Sequence, residues 1–122
     1  MINTGIKQKL EVGDIIAAKS TYSWEFLHYT FYKVLKTTES MVTLSQVETE
    51  YIYDDGRKGP HYYNDPYCVA PKKVNGHYVL SNNVIRRKVT YTKEGLPKVK
   101  IDFDKISRGV WEDKPLKAYN YH

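Results

Sequence analysis

The stretch Lys98–Phe103 (KVKIDF) alternates apolar and polar residues without a fault, and that alternation constrains the fold more than any other feature of the chain. Successive side chains of a strand point to opposite sides, so Val99, Ile101 and Phe103 are expected on one face, with Lys98, Lys100 and Asp102 on the other. Other stretches carry weaker versions of the same pattern. Ile15–Lys19 follows a turn at Val12-Gly13-Asp14, and Thr30–Thr37 is rich in aromatic and β-branched residues. Met41–Tyr53 reads as one long, bent strand, with Val42 and Leu44 on one side and Thr43, Ser45 and Val47 on the other. His77–Leu80 is a short extended piece, and Val84–Tyr91 is a further strand. Turn chemistry separates them at Thr38-Glu39-Ser40, Asp54–Pro60, Asn82-Asn83 and Lys93–Pro97. Short strands at close spacing predict a mainly β protein, a small SH3-like barrel or half-barrel of about five to six antiparallel strands.

The remaining segments are less regular. Residues 1–11 read as a lead-in. Ser20–Tyr29 has neither clean alternation nor a helical stripe, which predicts a long hairpin loop anchored by its aromatic residues. His61–Gly76 contains Pro66 and Pro71. Proline has no amide proton for a sheet ladder, so this stretch is expected to be a long ordered loop rather than a central strand. Ile106–Trp111 is a final short element, and residues 114–122 read as a polar tail. At 122 residues the chain is expected to form one β domain spanning 1–122.

Charge is segregated along the chain. Residues 1–61 hold seven basic and eight acidic side chains, whereas residues 62–122 hold twelve and six. Between Pro71 and Lys100 there are eight basic residues and one acid, Glu94. If that segment forms one face, the face attracts polyanions. Cys68 is the only cysteine, so an internal disulfide is impossible, which fits a reducing compartment. Met1–Leu10 does not resemble a signal peptide and no apolar run approaches a membrane span, so no membrane association and a cytoplasmic location are expected.

Val84–Tyr91 and Lys98–Phe103 read as a hairpin across Lys93–Pro97. Arg86, Lys88, Lys98 and Lys100 then share its solvent face, while Arg87 falls on the opposite face and needs a carboxylate or a barrel-edge position. Lys72 and Lys73 lie beside Tyr62, Tyr63, Tyr67 and Tyr78, and cations interleaved with aromatics suit base stacking on single strands. These nine residues, Tyr78 excepted and the four hairpin cations included, form the expected nucleic-acid surface. The acidic stretch Glu48, Glu50, Asp54 and Asp55 is an alternative, protein-binding surface that would mimic phosphate. His28, His61, His77 and His122 lack ligand-like spacing, so neither metal nor cofactor is expected. Asp102 and Asp104 beside Lys105 have a spacing too common to signal metal-dependent hydrolysis. No Gly-rich phosphate loop, nucleophile elbow or Cys-His arrangement occurs, so an enzyme is not expected.

Three pieces resemble a group of small uncharacterised bacteriophage and prophage proteins: Gly13-Asp14-Ile15, Thr30-Phe31-Tyr32-Lys33-Val34, and Val110-Trp111-Glu112-Asp113-Lys114-Pro115. Members similarly show a Gly-Asp-Ile opening, an aromatic pair followed by x-Val, and a late Trp-Asp-Gly-Lys-Pro-like motif. Here Glu112-Asp113 stands in place of Asp-Gly, and the segment between Lys19 and Thr30 is longer and lacks a Gln-Thr-Asn. The resemblance implies a phage origin and expression in the bacterial host cytoplasm. It implies no activity. It makes a stoichiometric binder natural: a protein that meets nucleic acid or a nucleoprotein, an inhibitor of a host defence enzyme of the anti-CRISPR kind, or a virion or assembly component.

Overall fold

The computed structural model describes residues 8–23, 26–53 and 67–120. In chain order the strands are β1 (Ile15–Ser23), β2 (Phe26–Thr37), β3 (Met41–Val47), β4 (Thr49–Tyr53), β5 (Tyr67–Pro71), β6 (Lys73–Val74), β7 (His77–Tyr78), β8 (Leu80–Tyr91), β9 (Pro97–Asp102), β10 (Lys105–Arg108) and β11 (Leu116–Asn120). No helix occurs among the described residues. Six strands close an antiparallel barrel in the order β1-β10-β9-β8-β3-β2, with β2 pairing back onto β1. This is a small SH3-like barrel with extra strands, the fold class that the alternation predicts.

The extra strands grow from β2. Its second half pairs with β3, whereas its first half pairs with β11, placing Leu27 opposite Tyr119. β5 lies between β11 and β4 and completes a second layer. The long strand expected over Met41–Tyr53 is β3 and β4, broken only at Glu48. Its N–H donates to the Val79 carbonyl, and its own carbonyl accepts from Lys72 N–H. The bend carries the chain from the barrel wall into the second layer.

Two cores result. Ile16, Ala18, Tyr32, Val34, Val42, Leu44, Val89, Val99 and Ile101 fill the barrel, and Leu10 plugs one end. Ile15, Phe31, Val47, Tyr53, Tyr67, Val69 and Ala118 pack between barrel and second layer. β1 and β2 therefore bury both faces. Ile16, Ala18, Tyr32 and Val34 enter the barrel, whereas Ile15 and Phe31 enter the second core with Ala17 and Tyr29 packed against it. A strand buried on both sides reads as a run rather than an alternation.

The structure departs from expectation in several places. Ser20–Ser23 and Phe26–Tyr29 extend β1 and β2 instead of forming a long loop. Tyr67–Pro71 is an interior strand, not loop. Pro71 closes it opposite Thr49, at the end where a missing donor costs little. Asn82 and Asn83 do not turn the chain but lie within β8. The turn comes earlier, at Asn75-Gly76, where both residues have positive φ (53° and 80°) and join β6 to β7 as an Asn-Gly hairpin. Leu116–Asn120, expected as tail, is β11. The lead-in is anchored as well: Leu10 is buried, and Gln8 N–H donates to the Gly95 carbonyl. The turn cluster expected at 54–60 lies outside the described residues.

Phe31 is 0 % exposed, at the centre of the second core and edge-on to Trp111 (5.9 Å between ring centroids, 71° between planes). Truncating it leaves a cavity that two rigid sheets cannot collapse around. Phe31→Ala should lower the unfolding free energy by about 3–5 kcal/mol. Lys100→Ala, on the surface, should change it by no more than about 0.5 kcal/mol. Urea denaturation of the three proteins measures both.

Candidate nucleic-acid interface

The β8–β9 hairpin forms as expected, with Val89 opposite Val99, Thr90 opposite Lys98 and Tyr91 opposite Pro97. Arg86, Lys88 and Lys100 are exposed, and Lys98 is half-buried on the same outward face. Arg87 points the other way and is half-buried at the barrel's edge. Its Nε donates to the Ile101 carbonyl at 3.1 Å and a terminal nitrogen donates to the Arg86 carbonyl at 2.9 Å. Carbonyl oxygens thus hold the guanidinium that the sequence leaves in need of a partner. The guanidinium also lowers the Tyr32 phenol, but burial of that ring and the Asp102 carboxylate outweigh it and raise the phenol overall.

The hairpin cations do not stand alone. β10 places Arg108 directly opposite Lys98, and Ile106 opposite Lys100. β1 brings Lys19 opposite Ile106. On the other flank Thr43 of β3 lies between Arg86 and Lys36, which a bulge in β2 at Leu35 turns onto this side. The outer wall of the barrel therefore carries Lys36, Arg86, Lys88, Lys98, Lys100, Arg108 and Lys19 across its strands, with Asp102 as an acid at one margin. Lys19, Lys36 and Arg108 were not legible as members, because their sequence neighbours do not show which strands lie side by side. Phe103 was expected inside. It sits instead in the turn between β9 and β10, with 84 % of its surface exposed.

Lys72 and Lys73 stand elsewhere. Lys72 is 3.9 Å from Glu48, and Lys73 lies over the Tyr78 ring, 4.7 Å from its centroid. Both adjoin the Leu80 end of β8, roughly 20 Å along that strand from Arg86. The second face is therefore distinct from the first, not continuous with it. Of the tyrosines expected to stack, Tyr62 and Tyr63 lie outside the described residues. Tyr67 is 2 % exposed in the second core, so it cannot serve as a rim residue. Of the acidic alternative, Glu48 is exposed beside Lys72, Glu50 is half-buried, and Asp54 and Asp55 lie outside the described residues.

A cleft of about 360 Å³ opens beside the basic wall. It lies between the outer faces of β1 and β2 and the segment linking β10 to β11. Ala17, Tyr29, Arg108, Trp111, Glu112 and Lys114 help line it. The Trp111 backbone N–H donates to the Ile15 carbonyl at 2.8 Å, and its indole N–H donates to the Lys114 carbonyl at 2.8 Å. These bonds fix the indole as a rigid wall. Burial raises the Tyr29 phenol, so it remains a neutral ring at physiological pH. Gly109 (φ 84°) and Asp113 (φ 63°) turn this segment. Comparison with family models, curated proteins and solved structures finds no match to the chain.

Two outcomes follow from this geometry. Burial, with a smaller contribution from the Tyr51 phenol, pushes the Tyr67 phenol up to about 12, whereas an unfolded tyrosine ionises near 10. Between those values the unfolded chain binds fewer protons than the native one. Stability that is fully present below about pH 10 should be lost as pH rises through about 12. Tyr67→Phe should weaken that alkaline dependence, followed by unfolding midpoints across the range. Asp113 occupies the left-handed region, which glycine and asparagine tolerate and β-branched residues do not. Asp113→Gly should be neutral within about 0.5 kcal/mol, whereas Asp113→Val should cost about 1–2 kcal/mol by thermal unfolding.

Proposed function

We propose that the protein is a small, non-enzymatic accessory protein of phage type that binds nucleic acid, or a nucleoprotein that handles it, through the basic outer wall of its barrel. The observation that carries this reading is the Lys98–Arg108 pair. Like charges directly opposite each other on one sheet face destabilise the sheet, yet here they sit at the centre of a wall with Arg86, Lys88, Lys100 and Lys19 around them. A bound polyanion relieves that repulsion. A wall serving solubility alone gains nothing from placing two cations in register. The protein-directed alternative, inhibition of a host defence enzyme through the acidic stretch, has less support, because Glu48 faces Lys72. A bacterial host cytoplasm is the compartment this reading implies.

Fluorescence anisotropy with labelled single-stranded, duplex and RNA oligonucleotides tests the proposal. Contacts by Arg86, Lys88, Lys98 and Lys100 to four phosphates of a single strand give a log–log salt slope of roughly −3. Affinity should then fall roughly 50-fold between about 50 and 200 mM salt. Arg108→Glu separates binding from folding. It should raise stability by about 0.2–1 kcal/mol by pairing with Lys98, while weakening nucleic-acid binding. Salt-independent binding, or none at micromolar protein, would remove this function.

A further inference from the structure

We infer that a single-stranded nucleic acid lies along the outer face of β10, with one base in the Tyr29–Trp111 cleft, its backbone across Arg108 and Lys19, and a second base against Phe103. This rests on the nucleic-acid reading above and names its ligand class and its stacking residues. Three observations place the track. Arg108 lines both the Tyr29–Trp111 cleft and a smaller hollow of about 140 Å³ shared with Lys19, Phe103, Asp104 and Ile106, so the two aromatic stations are joined by cations. Ile106 and Arg108 alternate outward along β10, with Lys19 in register beside them. Lys98 and Lys100 flank the same path on β9.

The chemistry of each station selects its occupant. The cleft is at the small end of the range for small-molecule sites, about 300–1,000 Å³, and suits a single planar ring. Its walls include an indole whose N–H is held by the Lys114 carbonyl and a neutral phenol. Glu112 at its lining disfavours a phosphate inside, whereas a neutral base is unaffected and its phosphate can rest on Arg108 outside. A free anion would sit badly there, and a wholly apolar ligand would leave Arg108 and Lys114 unused. Phe103 gives the other end an aromatic face with no core to fill. Exposed aromatics along a basic track stack on bases with little sequence preference. A duplex keeps its bases stacked on one another and cannot offer them to either station.

Trp24 and Trp111 are the only tryptophans, so Trp24→Phe leaves Trp111 as the sole indole reporter. In that background, Trp111 fluorescence and anisotropy are followed with a single-stranded oligonucleotide, an abasic phosphodiester of the same length and a duplex. The single strand should quench Trp111 and bind about tenfold more tightly than the abasic chain. Phe103→Ala, at an exposed turn that folding does not need, should move single-strand affinity toward the abasic value. Tyr29→Ala should do the same, with far-ultraviolet circular dichroism confirming that it folds. Equal affinity for base-bearing and abasic chains with unchanged Trp111 emission would overturn the track and leave the basic wall standing. No binding to any of the three would overturn the nucleic-acid reading itself and leave the wall to a protein partner.

Discussion

The burial of β1 and β2 on both faces governs the rest of the molecule. Ile15 and Ile16, or Phe31 and Tyr32, are adjacent in sequence yet belong to different cores. An ordinary barrel strand keeps one face for solvent. Here a second layer of β11, β5 and β4 covers that face, and Phe31, Val69 and Ala118 seal the joint. The cover has an electrostatic consequence. Charged side chains cannot remain on a wall that another sheet occupies without a large desolvation cost. The uncovered part of the barrel, from the Lys36 end of β2 round to Lys19, is where cations can accumulate, and it is where they do.

This division also explains what could be read from the residues alone. Lys98–Ile101, Val84–Tyr91 and Met41–Tyr53 show their faces plainly because each has one wet side or one clear bend. Ser20–Tyr29 conceals its strands, since its sequence mixes apolar, polar and aromatic residues without a period-two rhythm. Tyr67–Pro71 conceals itself behind its proline, whose position at the strand end makes it harmless. β11 is hidden for a different reason. Leu116, Lys117, Ala118 and Tyr119 show a short alternation, but one buried alanine carries too little apolar weight to distinguish a strand from a polar tail. Asn75-Gly76 is a strong hairpin signal that was legible and was outweighed by the longer proline-containing stretch around it.

The candidate surface was legible in half. The hairpin cations follow from alternation within one segment, so Arg86, Lys88, Lys98 and Lys100 could be placed together. Lys19 and Arg108 join them only because β10 lies between β9 and β1, a neighbour relation that no local pattern carries. Phe103 was misplaced by extending the alternation one residue too far. A strand's rhythm says nothing about where it stops, and Asp102 and Asp104 on either side were the turn signal. Conversely, Tyr67 has the right residue type near the right charges but spends its ring on the second core.

The tyrosine content gains a physical reason from the same layering. Tyr53 and Tyr67 lie within the joint between the layers, with Tyr51 against them: the Tyr51 and Tyr67 ring centroids are 5.8 Å apart, and those of Tyr53 and Tyr67 6.4 Å apart. A joint between two sheets is thin, so a ring placed in it brings its far end near the rim. A phenol suits that position better than a phenyl, because its body is apolar and its tip polar. Tyr29 occupies the same kind of position from the β2 side, with its ring against the second core and one edge in the Trp111 cleft. The joint that holds the fold together thereby supplies one wall of the site. A rigid aromatic surface needs a packed core behind it, and the second layer provides that core beside the wall of the barrel on which the cations of β1, β8, β9 and β10 collect.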